Sequence, residues 1–516
     1  MRPVSPRHNL ALLVIMTGVL MAAVDTTIVV LALPDLEQSL HVPLSGVVWV
    51  IISYLLTITL LATQVGRLGD MFGRVRMYEA GFLVFIVGSA LCALATGEAT
   101  IIVFRVIQGV GGAFITANSG AVIADTFPPH ERGRAYGFNA VGFNVGAILG
   151  ILLGGVIITY VSWRWIFWIN VPAGLFAFGI ALRVLHDTGA RRRQRFDIAG
   201  MLVLGAALFG ILWAMTRLAT AALTGDVLGA LVGGLALLVV FAFVERQRAA
   251  PMLNLSLFRI PTVTPTLLAA LFQGVASFAV LFLVIMYLQG VRGLSPLHAS
   301  LLLVPGYLMG GVAAPLGGRI SDRVGPIWPA TVGLAIQIAA LLVYAQLQMR
   351  TGLWVVVVAA VVNGIGAGAF FPANNSAVMK IVPRDQFGIA SGLLRTFANV
   401  GMIFSFAVAI LVAARAIPRG LAFAIFVGTT QLSAHLGRAF VTGLRAAFLT
   451  SIAVMVLAAV LSATRVFDRR HGKRGVPVQP GRAGPHATFS EAPMPSGKPQ
   501  AGSPMGGEVA RAKGPA

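Results

Sequence analysis

Cysteine occurs once in the 516 residues, lysine four times, and acidic side chains only 17 times. The single Cys92 sits in an apolar run, so neither an intramolecular disulfide nor a cysteine-based metal cluster can form. Charged residues make up 11% of the chain, where an ordinary soluble domain carries about a quarter. With 57% apolar residues and a mean hydropathy of +0.88, a water-soluble enzyme and a disordered chain are both excluded. The eight histidines fall at the ends of apolar runs or between them, without metal-ligand spacing. No nucleophile, base and orienting group can be assembled inside those runs, so the chain is not read as an enzyme.

What is there is apolar sequence in measured lengths. Stretches long enough to cross a bilayer, about 20 residues each, recur fourteen times. They lie at about 10–33, 46–66, 77–96, 99–121, 135–160, 165–185, 197–217, 226–245, 263–288, 297–317, 328–348, 353–377, 388–414 and 441–464. Arg2, Arg7 and the run from Leu10 have the look of a signal peptide. That run nevertheless lasts about 25 residues and contains Asp25, so an uncleaved first span is expected.

Net charge is +21, and its placement speaks for topology rather than nucleic acid. With the N-terminus inside, Arg67, Arg74, Arg76, Arg132, Arg134, Arg191, Arg192, Arg193, Arg195, Arg246, Arg248, Arg319, Arg323, Lys380 and Arg384 all fall in cytoplasmic loops. Most outer loops hold one arginine at most, while the last, about 415–440, holds Arg415, Arg419 and Arg438, and its Leu421 to Val427 could dip into the interface. Both termini are therefore expected in the cytoplasm. After Phe467 the composition turns to Pro, Gly, Arg, Ser and Ala, as in disordered segments. Arg469, Arg470, Lys473 and Arg474 there lie where anionic lipid headgroups would attract them, or are simply solvated.

An internal repeat organises the spans. Gly66-Arg67-Leu68-Gly69-Asp70-Met71-Phe72-Gly73-Arg74 recurs as Gly318-Arg319-Ile320-Ser321-Asp322-Arg323-Val324-Gly325-Pro326. Gly109, Gly111, Pro128 and Gly133 to Gly137 recur at nearly the same offset as Gly364, Gly366, Pro383 and Gly388 to Gly392. Parallel six-span repeats about an axis along the membrane normal build one large class of transporters. The expected fold is therefore an all-α integral membrane protein of two pseudo-symmetric six-helix bundles with two inserted helices. Its expected parts are 1–188, the insert 189–250, 251–467 and the tail 468–516.

A charge inside hydrocarbon is costly, so each one invites a functional reading. Asp25 is the only carboxylate in the middle of a span, with Arg105 in span four and Arg395 in span thirteen. Asp25 could load and release a proton as water access switches sides, or form a fixed ion pair with Arg105 that joins two helices. Arg105 could be the partner of Asp25 or an anion contact, while Arg395 could be functional or serve as a snorkelling or interhelical hydrogen-bond donor. Gly146, Gly150, Gly154 and Gly155 place small residues along one face of span five, which permits close helix approach. Gln108, Asn118, Asn144, Gln273, Asn374 and Phe370, together with Arg395, are candidates for a polar cavity with an apolar wall; interhelical hydrogen bonding is the alternative for the amides.

These residues together resemble the major facilitator superfamily, and within it the fourteen-span drug:proton antiporters, over about residues 8–465. Val24 to Pro34 is similar to the family's first-span motif, whose aspartate is implicated in proton coupling. Gly66 to Arg76 resembles the loop motif that bridges helices and gates the alternation, which implies gating roles for Gly66, Asp70, Gly73 and Arg74, and through the repeat for Gly318 and Asp322. Arg105, Gln108, Gly109 and Gly111 match the span-four motif, whose arginine is linked to proton transfer. Gly146 to Gly155 resembles the antiporter motif of span five. Trp163 to Pro172, Tyr287 to Gln289 and Ser295 to Leu297 resemble stretches typical of the family.

Some positions depart from the pattern: Ile151 stands where the antiporter motif usually has proline, Val30 where asparagine is frequent, and Ala398 where many relatives place the arginine found here at Arg395. The C-terminal half also lacks the intramembrane acids with which some relatives take dications. The resemblance implies proton-coupled efflux of amphipathic drugs or toxicants across the cytoplasmic membrane, powered by the proton gradient with no cofactor, by a monomer. The alternatives are a dedicated exporter of one native metabolite or lipid, and a transporter-shaped sensor or assembly protein acting through its tail.

Overall fold

Fourteen apolar helices long enough to span a bilayer appear in the computed structural model, at the positions the hydropathy pattern gives. It describes residues 6–42, 44–187, 196–220, 223–248, 253, 257–258, 260–382, 387–415 and 434–471. The basic tail beyond residue 471 and the stretch Leu421 to Val427 lie outside the described residues.

The first half comprises α1 (Pro6–Leu40), α2 (Leu44–Phe72), α3 (Arg74–Ala93), α4 (Glu98–Thr126), α5 (Pro129–Tyr160), the short α6 (Trp165–Trp168) and α7 (Asn170–Val184). Helices α8 (Ile198–Thr220) and α9 (Gly225–Gln247) follow as a pair packed on each other. The second half comprises α10 (Val263–Met286), α11 (Pro296–Val324), α12 (Ile327–Tyr344), α13 (Leu353–Met379), α14 (Phe387–Arg415) and α15 (Ala434–His471). Several boundaries differ from the sequence expectation, among them the ends of α2 at Phe72, α11 at Val324 and α15 at His471 and the start of α5 at Pro129. Helix α1 runs through Pro34 to Leu40, α10 continues into a π-helical turn at Tyr287–Val291, and α15 begins at Ala434 inside the expected outer loop. A proline is tolerated mid-helix because neighbouring helices satisfy the backbone groups it frees.

The two halves repeat one packing scheme. Helix α1 packs on α5 and α4 on both α2 and α3, while α10 packs on α14 and α13 on both α11 and α12. Glycines set these close approaches. A Cβ at Gly111 would lie 2.6 Å from the Phe85 Cα of α3, and one at the matching Gly366 would lie 2.7 Å from the Gly333 carbonyl of α12. Gly73 and Gly325, which end the repeated loop segment, both have positive φ, at 112° and 90°. That backbone region is open essentially to glycine alone, so the repeat is structural as well as textual.

The halves meet where α5 packs on α11 and where α2 packs on α14. The inserted α8 lies along that second seam in contact with both α2 and α14. It is pinned to α2 at both ends: Trp49 Nε1 donates to Thr216 Oγ1 at 3.2 Å, and Gln64 Nε2 donates to the Asp197 carbonyl at 3.3 Å.

Candidate functional site

Asp25 and Arg105 meet in the interior of the first half, both essentially without exposure. Arg105 Nη1 of α4 donates to Asp25 Oδ2 of α1 at 2.6 Å, and its Nε donates to the Val50 carbonyl of α2 at 2.9 Å. Gln108 completes the cluster. Its Nε2 donates to Asp25 Oδ1 at 2.7 Å and to Ser89 Oγ of α3 at 2.7 Å, while its Oε1 accepts from Arg105 Nη1 at 2.6 Å. The guanidinium lies over the Tyr54 ring at 4.1 Å from its centroid, with Phe167 at 5.7 Å. Both carboxylate oxygens thus have a donor, which is what lets a charge persist there: a buried ion pair holds only when its remaining polar groups are satisfied. Four helices, α1 to α4, converge on this one carboxylate, and the buried Cys92 of α3 joins the cluster with its Sγ 3.7 Å from Gln108 Oε1.

The glycine stripe of α5 lies against the helix that carries this carboxylate. A Cβ at Gly146 would lie 2.7 Å from the Leu20 carbonyl oxygen, and one at Gly150 would lie 2.7 Å from that of Val24, the residue before Asp25. Thr27 Oγ1, also against Gly150, donates to the Ala147 carbonyl at 3.3 Å. Gly154 packs on Ile28 and Leu31, and the buried Ile151 fills the position of the motif proline. Gly155 turns the other way, onto Leu297 and Ser300 of α11, where the Leu297 amide donates to Thr159 Oγ1 at 3.2 Å. Helix α5 therefore has the Asp25 helix on one side and the opposite half at its end.

At the α2–α3 junction, Arg74 Nε donates to Asp70 Oδ1 and Nη1 to Asp125 Oδ1 of α4, each at 2.9 Å. Asp187, following α7, accepts from the Val75 amide at 2.8 Å and caps α3, where the helix dipole favours a carboxylate. Gly73 lies directly against that carboxylate. Gly66 differs: nothing lies within 4 Å of its Cβ position, so the structure gives it no packing role. Gly73→Ala is expected to lower the melting temperature of the purified protein, at a cost of about 1–3 kcal/mol for the strained backbone. Gly66→Ala should leave it unchanged or slightly higher, and an equal loss at both positions would refute this distinction.

The repeat is chemically unequal at the second copy. Asp322 is 76% exposed, with Lys380 Nζ at 3.7 Å, and Gly318 has only Pro372 near it. No helix-bridging arginine equivalent to Arg74 is possible there, because Pro326 stands in its place.

Five of the seven residues expected at a cavity wall are buried. Gln108 belongs to the ion-pair cluster, and Asn118 is buried against Gly69 at the α2–α4 contact, donating to the Phe114 carbonyl at 3.0 Å. Gln273 is buried within the second half, where its Nε2 donates to Ser277 Oγ and Gln337 Oε1, both at 3.1 Å. Asn374 and Phe370 are buried in α13, so none of these five lines an open space. Gln108, Gln273 and Asn374 pair with neighbouring helices, Asn118 bonds within its own helix, and the Phe370 ring is buried. Asn144 is on an exposed face of α5. Arg395 is exposed on α14 and reaches the first half, where its Nη1 donates to the Thr116 carbonyl of α4 at 3.1 Å.

Sequence reasoning missed Arg465, which is fully buried at the end of α15. Its Nη1 donates to Thr266 Oγ1 at 3.0 Å and to Asn374 Oδ1 at 3.1 Å, and Nη2 donates to Ser462 Oγ. It fell one residue beyond the expected span 441–464 and was not singled out. Asp187 and Tyr54 were missed as well, since neither a cap from a distant loop nor a ring face leaves a sequence signal. Among the described residues no group of three or more His, Cys, Asp or Glu could hold a metal.

Comparison with known proteins agrees with this architecture. The family model described as Major Facilitator Superfamily matches residues 15–406 and 266–500. The chain is 32% identical over 394 residues to a tetracenomycin C resistance and export protein of Streptomyces glaucescens, covering 76% of this chain and 73% of that one. It is 29% identical over 392 residues to the riboflavin transporter RibZ of Clostridioides difficile (strain 630), covering 76% and 85%. In fold it resembles a bacterial homolog of the human lysosomal transporter Spinster in an inward-facing, occupied conformation. That likeness has a TM-score of 0.65 at 18% identity, over 92% of this chain and 100% of the other. With fourteen membrane-length helices, a repeated half and a family match across most of its length, this chain belongs to the Major Facilitator Superfamily, whose members are transporters and not enzymes.

Proposed function

We propose that this protein exports amphipathic compounds from the cytoplasm in exchange for protons, by alternating access between the halves 1–188 and 251–467 in the cytoplasmic membrane. The reading places both termini inside, with the tail 468–516 against anionic lipid headgroups, and takes the proton gradient as the only energy source for a monomer. The observation that carries it is the buried Asp25, whose two carboxylate oxygens are held by Arg105 and Gln108 beside the α5 glycine stripe. A proton arriving on Asp25 would cancel its charge and release the guanidinium, changing the packing of α1 on α4. Helix α5 touches both α1 and the opposite half, so a shift of α1 has a mechanical route across the molecule. One charge moved across 100 mV supplies about 2.3 kcal/mol, enough to sustain well over a tenfold gradient per proton.

The resistance and export named for the Streptomyces relative supports efflux of a foreign compound. The riboflavin transporter among the relatives favours a second reading, a dedicated exporter of one native metabolite. The test is reconstitution into liposomes with a pH-sensitive dye inside and a panel of compounds added under a pH gradient. Substrate-dependent proton flux in the direction opposite to substrate is expected. Substrate movement that persists undiminished with the gradient and the potential both collapsed would refute proton coupling.

A further inference from the structure

Arg395 differs from the other deep cations. Arg105 is buried against a carboxylate and Arg465 among hydroxyl and amide groups, whereas Arg395 is exposed although it lies inside the span Gly392–Ala409. Its surroundings say which way it faces. Its Nη1 donates to the Thr116 carbonyl of α4, which packs on α1, α2, α3 and α5 of the first half. The outer side of the α2–α14 seam is covered by α8, held there by the Trp49–Thr216 and Gln64–Asp197 contacts. The exposed part of the guanidinium therefore looks into the space between the halves and not toward lipid. Among the described residues no carboxylate pairs with it, and Asp25 is already held by Arg105 and Gln108.

We propose, building on the export reading above, that Arg395 is the charge-selecting contact of the transport path and that its substrates are amphipathic monoanions: carboxylates, sulfonates or acidic phenols. A guanidinium offers five N–H donors in a planar fork matched to such groups. An unpaired cation inside a span is expensive, and an arriving anion relieves that cost. The Thr116 carbonyl is the partner in the anion's absence. When an anion takes the guanidinium, the hydrogen bond joining α14 to α4 opens, so loading would loosen the contact between the halves.

Charge balance makes the proposal testable. One monoanion leaving against one proton entering moves two positive charges inward, whereas a monocation leaving against one proton moves none. Full-length protein in liposomes under a fixed pH gradient is given taurocholate, an amphipathic monoanion, or ethidium, a monocation. A potassium diffusion potential is then imposed, negative on the face that substrate leaves. Taurocholate flux should accelerate with the potential and fall roughly tenfold or more in Arg395→Gln, the scale of a lost charge-assisted hydrogen bond. Arg395→Lys, which keeps the charge and loses the fork, should retain part of it, and ethidium flux should not fall in either variant. Equilibrium dialysis of taurocholate with the protein in nanodiscs reads binding without coupling and should show the same loss. Faster wild-type flux of ethidium than of taurocholate, or unchanged taurocholate binding in Arg395→Gln, would overturn the proposal. If taurocholate binding depends on Arg395 while neither compound moves with the pH gradient, the anion site stands and the export reading fails.

Discussion

Asp25→Asn is expected to abolish proton-driven transport while the chain still folds and inserts. Asparagine keeps the volume of the side chain and one oxygen able to accept from Arg105 Nη1, so the bond that joins α1 to α4 has a substitute. Its amide nitrogen then faces Gln108 Nε2, donor against donor, a modest local cost. What is lost is the only carboxylate in the cluster. Vesicles carrying the variant should show no substrate-dependent proton flux, with yield and elution profile like wild type. Substrate moving downhill without protons would be consistent with this reading, whereas undiminished uphill transport would remove Asp25 from the coupling role. Arg105→Ala is harsher. Removing one partner of a buried pair leaves the other charge uncompensated, at about 3–5 kcal/mol, so loss of folded protein is expected there.

Gly150→Val should have the second largest effect, by disrupting the α1–α5 contact next to Asp25. Its Cβ position is already 2.7 Å from the Val24 carbonyl oxygen and touches Thr27 Oγ1, so even one added carbon must push the helices apart. Overpacking of this kind costs about 1–3 kcal/mol. The close helix approach that small residues permit in a membrane is lost with it. Transport should fall to background and the melting temperature of the purified protein should drop. Gly137→Ala, also on α5 but with nothing within 4 Å of its Cβ position, is the control and should behave as wild type. Loss of transport by Gly137→Ala to the same extent would show that α5 is sensitive throughout, not at its α1 face.

How far the sequence reached depends on the kind of question. All fourteen spans were legible, because hydrocarbon demands about 20 apolar residues per crossing and polar breaks between them stand out. Asp25 and Arg105 were legible for the converse reason: a charge is so costly in such a segment that it marks itself. For the amides, cavity lining and interhelical hydrogen bonding were both open in the sequence. Gln108, Asn118, Gln273 and Asn374 are in spans that are apolar on nearly every face, so no amphipathic pattern shows which way a given side chain turns. The repeat predicted two equal gating segments, yet only Asp70 is bridged by Arg74 to Asp125, while Asp322 is exposed. Arg465 went unnoticed because a terminal arginine and a buried one look alike in sequence.

By itself, then, the sequence determined the number of crossings, the repeated six-helix plan, the family resemblance and the two residues whose charge is out of place. Those follow from composition and spacing, which solvation by lipid constrains residue by residue. Only the tertiary structure decided that Gln108 belongs with Asp25 and Arg105, that α5 carries its glycines against the Asp25 helix, that α8 packs on both α2 and α14, and that Arg395 of α14 reaches the Thr116 carbonyl of α4. Each is a contact between segments distant in the chain, and the orientation of one helix toward another is set by packing, which no single segment encodes.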